Sequence, residues 1–159
     1  MENLFFPVEK VKLTDLGFNY PVPSDASHAV VGTIGGSKRI LSFCSPDYGI
    51  TPNRELANHL ETVLQDSGVK IRSRHGSTRD NSSFRMEWVL DIHQESIQGG
   101  AIAPRIYLYN SYNRKTRFSA SFGVMRLICT NGLTVLEESK VTSNLHSSGL
   151  DATSNFGFF

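Results

Sequence analysis

The sequence predicts an α+β fold, mostly antiparallel sheet built from hairpins and packed on one clear helix. Three observations predict it. One segment, residues 51–68, carries apolar side chains at helical period between a start signal and a stop signal. The segments around it alternate apolar and polar residues at period two. Short runs rich in Gly, Asn, Ser and Pro separate those segments, which joins neighbours as hairpins. At 159 residues the chain is read as one domain, 1–159, with an irregular segment 1–28 and a polar tail 137–159.

Each element has its own reason. Residues 1–28 are punctuated by Pro7, Pro21 and Pro23, so they read as irregular or extended. AVVGTI at 29–34 and RILSFC at 39–44 read as a strand pair around a GGSK turn. The helix takes Thr51 as its cap and Pro52 as its first residue. Leu56, Ala57, Leu60, Val63 and Leu64 form its apolar stripe, and Gly68 ends it because glycine accepts a left-handed backbone. Beyond it, Val69 and Ile71 face one way, and Lys70, Arg72 and Arg74 face the other. Phe84, Met86, Trp88, Leu90 and Ile92 alternate with Arg85, Glu87, Val89 and Asp91. RIYLYNS at 105–111 is a further strand. After a basic turn, Phe118, Ala120, Phe122 and Val124 oppose Arg117, Ser119 and Ser121.

Composition is that of an ordinary globular protein, with 39% hydrophobic and 19% charged residues, and no window is apolar enough for a membrane helix. The N-terminal residues lack the basic and apolar regions of a secretory signal. The net charge of +1 is unevenly spread: from Val69 to Arg126 there are ten basic and four acidic residues. That excess predicts a basic surface.

Four segments, in order, resemble a known family pattern. They are Tyr48-Gly49-Ile50-Thr51-Pro52-Asn53-Arg54-Glu55-Leu56, Asn110-Ser111-Tyr112-Asn113-Arg114, Arg126-Leu127-Ile128-Cys129-Thr130-Asn131-Gly132-Leu133 and His146-Ser147-Ser148-Gly149. The family is the prokaryotic phage/plasmid-like domain of unknown function numbered nine-three-two. Its pattern reads Tyr-x-Val-x-Pro-Asn-x-Glu-Leu, Asn-Ser-His-Asp-Gly, Arg-Val-Val-Cys-x-Asn-Thr-Leu and His-Thr-x-Gly. This chain departs at the second segment, where Tyr112, Asn113 and Arg114 replace His-Asp-Gly, so no role of that histidine transfers. Relatives usually continue into helices past the fourth segment, so the chain resembles a short version or a fragment. The resemblance implies mobile-element biology in the cytoplasm of a prokaryotic host. It implies no reaction.

The chemistry-bearing residues point the same way. Cys44 and Cys129 each stand alone in a strand-like segment and read as buried thiols, not as nucleophiles or metal ligands. The five histidines form no close ligand set, and no phosphate-binding glycine motif is present. The expectation is a protein with no catalytic residue, metal or cofactor. Lys70, Arg72 and Arg74 would space phosphates along one strand face, since alternate strand residues lie about 6.6 Å apart. Arg114, Lys115 and Arg117 form a basic hairpin tip, with Tyr109 and Tyr112 as rings for base stacking. The expected partner is therefore nucleic acid, single strands before duplex, because no basic recognition helix appears. The competing class is an interaction or inhibitor module acting on a host or phage protein, or assembling with itself, through the Phe156, Phe158 and Phe159 tail.

Overall fold

In the computed structural model, residues 1–92, 102–115, 118–127 and 134–144 are described; 102–103, 124–127 and 134–144 are described as backbone only. Two antiparallel sheets and one α-helix make up this α+β fold. The first sheet has the order β1-β2-β3, from β1 (Val8–Lys12), β2 (His28–Ile34) and β3 (Ser37–Cys44). The second is a five-stranded meander of β4 (Ile71–Thr78), β5 (Ser83–Leu90), β6 (Ile102–Ser111), β7 (Phe118–Leu127) and β8 (Thr134–Asn144). The helix, α1 (Asn53–Asp66), connects them. Among the described residues, no helix is long and apolar enough to cross a membrane.

Period-two patterning decides which face of the meander is inside. Phe84, Met86, Trp88 and Leu90 of β5 point inward with Ile106 and Leu108 of β6 and with Phe118 and Ala120 of β7. Leu56, Ala57, Leu60 and Leu64 of α1 join the same core. Each of the three buried leucines contributes about 2 kcal/mol from apolar surface removed from water. The first sheet adds Val30 and Cys44 to this core, while Ala29 and Val31 enter a small second cluster with Leu13. Burial pushes the Cys44 thiol above its ordinary pKa, as expected of an inert packing cysteine.

Three expectations need correction. Residues 1–28 are not wholly irregular: Val8–Lys12 form β1, paired antiparallel with β2. The segment was hidden because a five-residue edge strand depends on its neighbour more than on its own pattern. The segment from 137 is not all tail, since Thr134–Asn144 form β8 against β7. The helix begins at Asn53 with Pro52 at the cap position, and no side chain of the cap residue bonds to it. Its stop is as expected, with Gly68 at φ 71° just past the end.

Candidate nucleic-acid interface

The predicted row of Lys70, Arg72 and Arg74 does not exist as one face. Ile71 pairs with Leu90 but Ser73 pairs with Val89, so Arg72 is an extra residue in a β-bulge. One inserted residue reverses the side-chain phase beyond it. Arg74 therefore shares the inner face with its partner Trp88, at the sheet edge beside α1. There it donates two hydrogen bonds to Glu61, at 2.6 and 2.9 Å. Arg72 bonds Asp91 at 2.8 Å, and Lys70 is exposed ahead of the strand. The Arg74 hydrogen bonds hold the Glu61 carboxyl below its usual range, with further help from the Trp88 indole N–H at 2.8 Å.

Tyr112 is also not a stacking platform. It is 1% exposed, and its ring centroid lies 4.9 Å from that of Phe84. Its hydroxyl oxygen accepts the backbone N–H of Asn53 at 2.8 Å, so a residue from the distant hairpin caps the first turn of α1. Burial raises its pKa. Beside it, the Asn110 amide donates to the Thr51 carbonyl at 2.9 Å and to Asn53 Oδ1 at 2.8 Å, and its oxygen accepts the Ser111 N–H at 2.9 Å. Asn53 in turn donates to the Leu4 carbonyl at 3.1 Å. The Tyr48 hydroxyl reaches the Ser111 carbonyl at 3.3 Å, and burial pushes its pKa up to about 12. The segments 48–56 and 110–114, singled out in the sequence as separate motifs, thus form one buried hydrogen-bonded lock. Its chemistry is structural.

The hairpin tip carries strain. Arg114 sits at φ 63°, where a non-glycine residue costs about 1 kcal/mol. In return, the Arg114 guanidinium donates to the Phe43 carbonyl at 3.3 Å and lies 6.0 Å from the Tyr48 ring centroid. These contacts are exposed and weak. Arg114→Gly is expected to raise stability by about 0.5–1 kcal/mol, a gain of roughly 2 °C in Tm. Differential scanning calorimetry checks it; a lower Tm would mean that the guanidinium contacts outweigh the strain. Lys115 is exposed, its N–H held by Asn113 Oδ1 at 3.0 Å. Arg117, Cys129, His146 and the terminal phenylalanines lie outside the described residues.

The outer face of the meander gathers other basic groups. The register sets Ser77 opposite Arg85, Arg85 opposite Tyr109, and Tyr109 opposite Ser119, one row across four strands. Arg85 lies 4.7 Å over the Tyr107 ring. Glu87, its side chain 13% exposed, is bridged by Arg105 and, at 3.5 Å, by Arg85. Tyr109 is 38% exposed, with its ring centroid 6.5 Å from that of Tyr107. A groove of about 450 Å³ follows this row and takes in Arg79 from the β4–β5 turn. The sequence places Tyr109 as a ring beside the hairpin tip; the register sets it in this groove instead. Arg79, Arg85 and Arg105 were not expected here, although alternation from Phe84 to Leu90 already turns Arg85 outward.

No curated protein and no solved structure matches the chain at a significant level. A family model described as Domain of unknown function (DUF932) matches residues 40–155. The matched span takes in α1, β4–β8 and, apart from Leu4, every residue of the buried lock. Since it covers most of the 159 residues, the chain belongs to the DUF932 family.

Proposed function

We propose that the protein binds single-stranded nucleic acid without catalysing a reaction, in the cytoplasm of a prokaryotic host and in the service of a phage or other mobile element. The surfaces are the outer face of the five-stranded sheet and the tip at Arg114 and Lys115. One observation carries this reading: among the described side chains, three guanidinium groups, of Arg79, Arg85 and Arg105, share that face with one carboxylate, Glu87, and with the exposed Tyr109. Cations attract the phosphate backbone, and an exposed aromatic ring on a sheet accepts an unstacked base. A flat strand surface suits an open single strand better than a major groove.

A second reading, docking on a host or phage protein, is favoured by apolar groups beside the edge strand β3. Phe18 and Phe43, 40% and 47% exposed, meet edge to face at 6.5 Å, and Ile40 is 44% exposed. Salt separates the two. Fluorescence anisotropy with labelled single-stranded and duplex oligonucleotides should give binding at low salt, tighter for single strands, that weakens steeply as salt rises. Failure to bind either oligonucleotide at tens of micromolar removes the nucleic-acid reading. Salt-insensitive retention of a protein partner would replace it with the second.

A further inference from the structure

We infer that the groove across the outer face is a subsite for one unpaired nucleotide, its phosphate on Arg79 and Arg85 and its base on the ring of Tyr109. This rests on the nucleic-acid reading and gives it a location. The row Ser77, Arg85, Tyr109 and Ser119 is built from directly opposed residues on adjacent strands. Neighbouring strands lie about 4.8 Å apart, so charge, ring and hydroxyl follow one another at the scale of phosphate, base and base edge. The volume of about 450 Å³ lies within the range of small-ligand sites, about 300–1,000 Å³.

The charges available are cationic. Asp80, the acid nearest Arg79 in sequence, turns its Oδ1 into the hairpin, where it accepts from Ser82 N at 3.0 Å, Ser82 Oγ at 2.7 Å and Ser83 N at 3.1 Å. Glu87 is occupied by Arg105 and Arg85. No ion pair of Arg79 occurs among the described residues. The two rings have different tasks. Tyr107 is 7% exposed and already covered by the Arg85 guanidinium, so it supports that cation. Tyr109 keeps an exposed surface, and its neighbour across β7 is the small Ser119, which leaves room for a base beside the ring. A paired base presents only its edge to such a groove, so the subsite discriminates against duplex.

The test uses the full chain and a short oligothymidylate carrying one 2-aminopurine, read by anisotropy and by base fluorescence. Wild type should bind and quench the 2-aminopurine. Tyr109→Phe should behave as wild type. Tyr109→Ala should bind roughly ten-fold more weakly and lose the quenching, with its salt dependence unchanged. Arg79→Ala, in an exposed turn, should lower the slope of log affinity against log salt by about 1. Wild-type affinity and quenching in Tyr109→Ala would overturn the subsite and leave the nucleic-acid reading standing. Equal losses in Tyr109→Phe and Tyr109→Ala would overturn the stacking. No binding by wild type would end both.

Discussion

Asn110→Ala is expected to cost about 3–5 kcal/mol of folding stability and to lower Tm by roughly 10 °C. The side chain is 1% exposed, and its amide holds three groups: the Thr51 carbonyl, Asn53 Oδ1 and the Ser111 N–H. Each loses this bond inside the core when the amide goes, at about 1–3 kcal/mol apiece before water or relaxation recovers part. Leu is no remedy, since it fills the space but removes the same three hydrogen bonds. Asn53→Ala should be costly for the same reason, because it also strips the Leu4 carbonyl. The two residues share a bond, so the double variant should lose less than the two single losses together. Urea unfolding followed by circular dichroism measures all three. A loss under 1 kcal/mol for Asn110→Ala would show that water replaces the lock.

The elements that periodicity specifies were legible in the sequence. The stripe from Leu56 to Leu64, the Phe84–Leu90 alternation and the GGSK hairpin each appear where local pattern places them. What local pattern cannot contain is a partner from elsewhere in the chain. Thr51 looked like a helix cap, but the first orphan N–H of α1 is satisfied by Tyr112, 59 residues away. Arg72 looked like the middle of a cationic row, but a bulge is a property of two paired strands and leaves no mark in one of them. Tyr112 was misread for a different reason, since the signal was present. Ile106, Leu108 and Asn110 share its parity and are buried, whereas Tyr107 and Tyr109 have the other. Following parity through the end of β6 would have sent Tyr112 inward and kept Tyr109 out. Of the candidate site, the excess of positive charge, the ring of Tyr109 and the outward parity of Arg85 were legible in the sequence. Its assembly from Arg79, Arg85 and Tyr109 required the register between β4, β5, β6 and β7.

Trp88→Ala should be among the most damaging single changes, costing about 3–5 kcal/mol. Trp88 is the largest fully buried side chain among the described residues, in the core that the meander shares with α1. Its removal opens a cavity in the core that it shares with the buried leucines of α1. It also takes away the indole N–H that bonds Glu61 at 2.8 Å, leaving that carboxylate to Arg74 alone. Trp88→Phe separates the two effects. Phenylalanine keeps much of the ring and drops the N–H, so its loss should be about 1–2 kcal/mol, the scale of one charge-assisted hydrogen bond with a modest volume change. Because this is the only tryptophan, both variants must be followed by circular dichroism, and wild type by its indole emission as well. The same residue also reports on sidedness. Trp88 faces inward, opposite to Tyr109 across the sheet, so an oligonucleotide on the outer face should leave its emission almost unchanged while quenching a bound 2-aminopurine. A large shift of the Trp88 emission on binding, with the 2-aminopurine unaffected, would move the contact to the α1 side, where Arg74 would have to leave Glu61 to meet a phosphate.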